Sequence, residues 1–155
     1  MRTIYEGHVT EAEWDARFLK TAGDVASWSK DPARKVGAFL VSADKRRFSI
    51  GYNGFPKGVV DSAERLAETS TRLDMTVHAE LNAILNAGFT AEGCTLYCTS
   101  FPCHECAKAV IQARVVRVVA PKVDHHPESK WYKSWLLAEL MLTEAGVRIT
   151  YMGER

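Results

Sequence analysis

Neither sign of charge dominates this sequence: 20 lysines and arginines stand against 19 aspartates and glutamates, a formal net charge of +1. A surface that follows a polynucleotide backbone carries a clear basic excess, so the balance favours a small ligand over nucleic acid. Long apolar runs are missing as well. Arg2, Glu6, Glu11, Glu13, Asp15, Arg17 and Lys20 interrupt the start of the chain, leaving no stretch fit for a secretory signal or a membrane span and pointing to the cytoplasm. Cysteine is scarce. Four in 155 residues are too few for a disulfide scaffold, and two of them stand as Cys103-His104-Glu105-Cys106, a spacing of metal or redox chemistry. No internal repeat, linker or low-complexity tract divides the sequence, and its length suits one domain over 1–155. A chain of this size buries roughly 68–70% of its unfolded surface, and hydrophobic residues at 46% supply a core for it.

Thr10 with Glu13 reads as a capping box, and Trp14, Phe18, Ala22, Val25 and Trp28 recur at helical spacing, predicting a helix over about residues 11–29 that stops at Asp31-Pro32. Two apolar runs, Val36 to Val41 and Phe48 to Tyr52, joined by a polar stretch, predict a β-hairpin. The segment from Asn53 to Met75 is rich in turn formers at its start and weakly periodic after it; a connection of that length is a functional loop or carries a short helix of its own. A helix is expected from His78 to Ala87 with Leu81, Ile84 and Leu85 inward, then a strand from Thr95 to Thr99. Next come a helix from Cys103 to Ala113 with Ala107, Val110 and Ile111 inward, a continuously apolar strand from Val115 to Ala120, a helix from Trp131 to Ala145 and a last strand from Val147 to Met152. The order α-β-β-α-β-α-β-α-β implies an α/β fold in which helices layer a sheet.

The chemistry is concentrated at two predicted helix starts, His78-Ala79-Glu80 and Pro102-Cys103-His104-Glu105-Cys106. Cysteines at i and i+3 lie on one face of a helix, and the positive end of the helix dipole favours the thiolate that binds zinc. If the two helix starts are neighbours, His78 adds a nitrogen, and a Cys₂His set leaves a fourth position open to water. Bound zinc lowers the pKa of such a water from about 15.7 to near 7, making hydroxide available at neutral pH. Glu80, two residues beyond His78, points elsewhere than the ligand and is placed to carry protons beside that water. A closed structural site is the competing reading, with Cys94, Cys98 or His104 as a fourth ligand; Cys98 is expected within a strand and His104 on the face away from its flanking cysteines. Cys94 and Cys98 otherwise read as buried small residues.

With these residues in view, the chain resembles the deoxycytidylate deaminase family, within the zinc-dependent cytidine deaminase superfamily. Gly51-Tyr52-Asn53-Gly54-Phe55-Pro56, His78-Ala79-Glu80-Leu81-Asn82-Ala83-Ile84 and Phe101-Pro102-Cys103-His104-Glu105-Cys106-Ala107-Lys108 carry the likeness, with Asp31-Pro32 and Lys35-Val36-Gly37-Ala38 as a weaker stretch. The histidine-x-glutamate and proline-cysteine-x-x-cysteine pair is the signature of zinc deaminases. The resemblance implies a three-layer fold with a five-stranded mixed sheet between helices. It also implies one Zn²⁺ per chain on His78, Cys103 and Cys106, with Glu80 as proton shuttle. Asn53 then contacts the sugar, the Ala79 backbone faces the base, and Phe101 joins the substrate contacts. The activity implied is hydrolysis of deoxycytidine monophosphate to deoxyuridine monophosphate and ammonia by a zinc-held hydroxide, in a homo-oligomer that in this family is commonly a hexamer.

Two departures from the family pattern bear on regulation. Relatives controlled by deoxynucleoside triphosphates carry an aspartate-lysine-tyrosine stretch after the fourth strand and an arginine in the last helix; here these regions read Lys122-Val123-Asp124-His125-His126 and Ala138-Glu139-Leu140. Control by dCTP or dTTP therefore stays open, as does recognition of the 5′-phosphate. Residues 53–77 hold neither histidine nor cysteine, so the second zinc of some viral relatives is not expected. Lys57, Arg65, Arg72, Lys122, Lys130 and Lys133 read mainly as solvated surface, and so do His125 and His126. Trp131 and Trp135, four apart, read as core or subunit contact. The competing functions are the same chemistry on a nucleoside, a modified cytosine nucleotide or another amino-heterocycle, a polynucleotide deaminase, and a non-catalytic binding module stapled by zinc.

Overall fold

The computed structural model describes residues 7–123 and 126–153. Along the chain run α1 (Glu11–Ala26), β1 (Gly37–Val41), β2 (Phe48–Tyr52), α2 (Ala63–Ala67), α3 (Thr69–Met75), α4 (Ala79–Asn86), β3 (Thr95–Cys98), α5 (His104–Gln112), β4 (Arg117–Ala120), α6 (Tyr132–Glu144) and β5 (Arg148–Tyr151). The strands form one sheet in the order β2-β1-β3-β4-β5. β1 is antiparallel to both β2 and β3, while β3, β4 and β5 are parallel, giving the five-stranded mixed sheet that the resemblance implies.

Strand alternation sorts the core into two layers. Ala38, Leu40, Leu96, Cys98, Val118 and Ala120 face α4, α5 and α6, whereas Phe39, Val41, Tyr97 and Val119 face Phe18 and Ala22 of α1. Both faces of β1, β3 and β4 are thus covered, which is why their sequences read as continuous apolar runs.

Glycine sets how closely the helices approach the hairpin. A Cβ on Gly51 would sit 2.1 Å from the Ala79 carbonyl oxygen and 2.4 Å from the Ala83 nitrogen; one on Gly37 would sit 1.9 Å from the Ala22 carbonyl oxygen. Each face of the hairpin thus receives a helix backbone at a glycine, and that contact demands alanines on the helix side. Here the structure corrects the expected inward face of α4. Ala79 and Ala83 are fully buried against β2, Ile84 packs at the edge of the core and Leu85 is 68% exposed, because a leucine would hold the helix away from Gly51.

The capping box at Thr10 forms as predicted, with the Thr10 hydroxyl accepting from the Glu13 N–H at 3.2 Å and the Glu13 carboxylate accepting from the Thr10 N–H at 2.7 Å. α1 ends at Ala26, earlier than expected. Trp28 and Ser29 donate instead to Val25 and Ala26 at 3.0 and 3.1 Å, tight turns that wind the helix down before Pro32. The long connection after β2 holds the two short helices α2 and α3, and a bridge between Gly54 and Val77 closes it into a loop with adjacent ends.

One charged group is buried beneath α1. Arg117 of β4 donates to Asp15 at 2.9 and 2.5 Å, Tyr97 donates to the same carboxylate at 2.8 Å, and Arg117 Nε donates to Thr150 at 3.1 Å. This network ties α1 to three strands, with Asp15 and Arg117 only 2% and 5% exposed. Asp15→Ala would leave the buried guanidinium with only the exposed Glu11 carboxylate, 3.4 Å away, as a counter-ion, a loss expected to destabilise the protein by up to about 3 kcal/mol. Urea unfolding reads that change, and an Asp15→Leu, Arg117→Met double variant should recover most of it.

Candidate active site

Both helix starts named by the sequence come together on the α4–α5 side of the sheet. His78 is the N-cap of α4, and Cys103 is the N-cap of α5 with Cys106 in its first turn. The Cys103 sulfur accepts the Cys106 N–H at 3.5 Å, so the side chain that caps the helix is itself a candidate ligand. His78 Nδ1 lies 3.4 Å from the sulfur of Cys103 and 3.4 Å from that of Cys106. Tetrahedral zinc with ordinary bond lengths separates a nitrogen and a sulfur ligand by about 3.6 Å. The trio therefore has the spacing and the donor set for one zinc per chain, its three ligand atoms lying within 4.8 Å of one another.

Proton distribution in the trio suits metal binding. The hydrogen bond from Cys106 and then the one to His78 hold the Cys103 thiol down at about 4. The same bond to Cys103, with burial, pushes Cys106 up, and the Cys103 contact raises His78 against its burial. The opposite shifts of the two thiols reflect one proton shared between them, and metal binding releases such protons from its thiol ligands.

The candidate fourth ligands are engaged elsewhere or chemically unsuited. His104 Nδ1 lies 2.8 Å from the Ser134 hydroxyl and Nε2 lies 3.2 Å from Glu105. Cys98 is fully buried and its thiol is pushed well up by burial, so it behaves as a packed, neutral side chain. Among the described residues the cluster comprises three donors, and two of them, His78 and Cys103, line a cavity.

That cavity has a volume of about 620 Å³ including its open mouth, and His78, Ala79, Glu80, Cys103, Asn53 and Phe101 all line it. Glu80 is 4% exposed, and burial raises its carboxyl above the usual range, opposed by its own backbone N–H and by His78. Asn53 is also buried. Its Oδ1 accepts the Val36 N–H at 2.8 Å and its Nδ2 donates to the Arg34 carbonyl at 2.9 Å, while a second Nδ2 hydrogen lies loosely toward Asp31 at 3.5 Å. Phe101 is 4% exposed and stacks on Tyr151 with centroids 5.9 Å apart.

Sequence reasoning missed several wall residues. Asp31 and Arg34 enter from the stretch before β1, Leu73 and Thr76 from the end of the long connection, and Ser100 from the loop before Cys103. The length of the 53–77 connection and the weaker family stretch beginning at Asp31-Pro32 were the signals available for them. Trp135 is 9% exposed within the main core, as expected, yet it also walls the cavity together with Trp131. Arg72, expected at the surface, is 8% exposed. It lies 3.5 Å from Asp31 and donates to the Leu66 carbonyl at 2.7 Å, holding α3 beside the cavity. Asp124 and His125 lie outside the described residues, and His126 is exposed.

A family model for the cytidine and deoxycytidylate deaminase zinc-binding region matches residues 12–122. The chain belongs to this deaminase family. It is 38% identical to human deoxycytidylate deaminase over 141 residues, covering 87% of this chain and 77% of the relative. Its identity to an uncharacterized deaminase of the luxG 3′ region of Aliivibrio fischeri is 39% over 141 residues, covering 91% and 95%. Among solved structures, the apo dCMP deaminase of cyanophage S-TIM5 matches with a TM-score of 0.72 at 25% identity, over 92% of this chain and 100% of the other. The region that defines this deaminase family thus runs from α1 through β4 and contains every donor of the candidate zinc site.

Elemental analysis of the purified deaminase is expected to find one zinc per chain. Cys106→Ser should lose most of it, since a neutral hydroxyl is a far poorer ligand than a thiolate. Full zinc content in that variant would show that the ion sits elsewhere.

Proposed function

We propose that this protein hydrolyses deoxycytidine monophosphate to deoxyuridine monophosphate and ammonia, with His78, Cys103 and Cys106 holding the metal and Glu80 moving the protons. One observation carries the reading: His78 and Cys103 of a Cys₂His trio of zinc spacing line the same cavity as the buried carboxylate of Glu80. The substrate is supported by the relatives, since the human protein is a deoxycytidylate deaminase and the S-TIM5 dCMP deaminase has been solved with dCMP and dUMP.

Zinc, when bound, acidifies a water and supplies the nucleophile at neutral pH. In this reading Glu80 takes the proton that this water gives up and delivers it to N3 of the cytosine ring. The water oxygen would bond to C4, Glu80 would then move the proton remaining on that oxygen to the exocyclic nitrogen, and the C4–N bond would break to release ammonia and leave a C4 carbonyl. Burial serves this role, because desolvation raises the proton affinity of the carboxylate and brings it nearer the operating pH, where a group can both accept and donate. Ala79 opens α4, where the first N–H groups have no partner within the helix, so its backbone N–H is left to meet the base. Phe101 packs beside the ring. Asn53 meets the sugar through its loosely held Nδ2 hydrogen, the rest of its amide being engaged in fixing residues 34–36.

The chain acts as one domain, in the cytoplasm, and as a homo-oligomer. Among the described residues no helix is long and apolar enough to cross a membrane. Leu136, Leu137 and Leu140 are 39%, 49% and 54% exposed along α6, which is apolar surface for a second copy to cover.

Glu80→Ala is expected to retain zinc while ammonia release from deoxycytidine monophosphate falls roughly 10²–10⁴-fold, the scale of a lost general acid–base. Wild-type turnover in that variant would remove the proton-shuttle role. Ammonia release from other amino-heterocycles but none from cytosine nucleotides would replace the substrate.

A further inference from the structure

We propose that Arg34, backed by Ser100, receives the 5′-phosphate and sets the preference of this site for nucleotide over nucleoside; the inference rests on the cytosine-nucleotide reading above. Arg34 is the one lysine or arginine among the residues that line the cavity, and none of the six cations singled out in the sequence reaches that wall. Its charge is uncommitted: among the described residues its guanidinium makes no ion pair. The nearby carboxylate of Asp31 is taken up by Arg72 at 3.5 Å and by the N–H groups of Ala33 and Arg34 at 2.7 and 3.0 Å.

Arg34 is also held in place before any ligand arrives. Asp31 accepts its N–H at 3.0 Å and Asn53 donates to its carbonyl at 2.9 Å, so both sides of its backbone are fixed by residues of the same cavity. Its guanidinium lies 6.0 Å from the ring centroid of Trp135 and donates to the Ser100 hydroxyl at 2.7 Å. Trp135 is 9% exposed, so the ring beneath the guanidinium is itself immobilised by the core. Arg34 is exposed, and its planar fork, tied to Ser100 and over the Trp135 ring at the outer range of a cation–π contact, has donors left for phosphate oxygens. Ser100 accepts from Arg34 and keeps its own hydrogen to donate. Ser100 is followed directly by Phe101 and then by the segment that carries Cys103, so this cation–hydroxyl pair adjoins the predicted base contact.

The test compares kcat/KM for deoxycytidine monophosphate and for deoxycytidine in wild type, Arg34→Ala, Arg34→Lys and Lys130→Ala, with zinc content measured on each. Lys130 stands over Trp131 at 5.5 Å and is the rival cation beside the same wall. In Arg34→Ala the nucleotide-to-nucleoside ratio should fall roughly 10- to 100-fold, the loss of a hydrogen bond to a charged group, chiefly through a raised KM for the nucleotide. Arg34→Lys should recover only part, having the charge without the fork. Inorganic phosphate should compete with the nucleotide in wild type and fail to do so in Arg34→Ala. An unchanged ratio in zinc-loaded Arg34→Ala, an equal loss on both substrates, or a fall confined to Lys130→Ala overturns the assignment of Arg34 while leaving the deaminase reading intact. No ammonia from the nucleotide with wild-type protein overturns the reading beneath it instead.

Discussion

The site depends on how closely α4 lies on the hairpin. At Gly51 the helix backbone comes so near β2 that a single added methyl carbon would overlap the Ala79 carbonyl. Backbone contact of this kind fixes the position of a helix far more tightly than interlocking side chains do, because no rotamer change can relieve a shift. His78 caps the start of that helix, so the imidazole inherits its place from the glycine. α5 is set independently, following β3, and Cys103 caps it. The two helix ends meet with 3.4 Å between nitrogen and each sulfur, a distance that neither element defines alone.

Around that meeting point the polar groups serve structure and chemistry at once. Cys103 is an N-cap and a candidate metal donor. Asn53 ties the end of β2 to residues 34–36 and faces the cavity with what remains of its amide. Asp31 pairs with Arg72 and accepts the Arg34 N–H, linking the long connection to the stretch before β1. Buried polar networks of this sort rigidify a site to the extent that their members are satisfied, and here Arg72 Nε, paired with Asp31 by charge alone, makes no hydrogen bond. The Arg117–Asp15–Tyr97 group does the corresponding work on the far face, away from the chemistry, by anchoring α1.

Much of this was legible along the chain because the signals are local. Capping by Thr10 and Glu13, the hairpin, the continuous strand ending at Ala120 and the two motifs at the helix starts each lie within a few residues, where periodicity and spacing operate. Residues whose role depends on distant partners were misplaced. Leu85 was expected inside, yet the contact at Gly51 admits only alanine on the facing side of α4. Arg72 was expected outside, yet its counter-ion Asp31 lies 41 residues earlier in the sequence and draws it in. Trp131 and Trp135 show core spacing, and no period distinguishes a tryptophan that fills the core from one that also walls a cavity.

The sequence by itself determined which atoms are available for chemistry: an imidazole, two thiols at helical spacing and a carboxylate two residues from the imidazole. Helix periodicity and the dipole at helix starts act over single turns, so these needed no knowledge of the fold. Tertiary structure alone decided that the two motifs share one centre and that a cavity adjoins it. It also decided that Arg34 reaches the cavity wall. Those facts follow from strand order and from the approach distance between α4 and β2, which couple residues far apart in the chain.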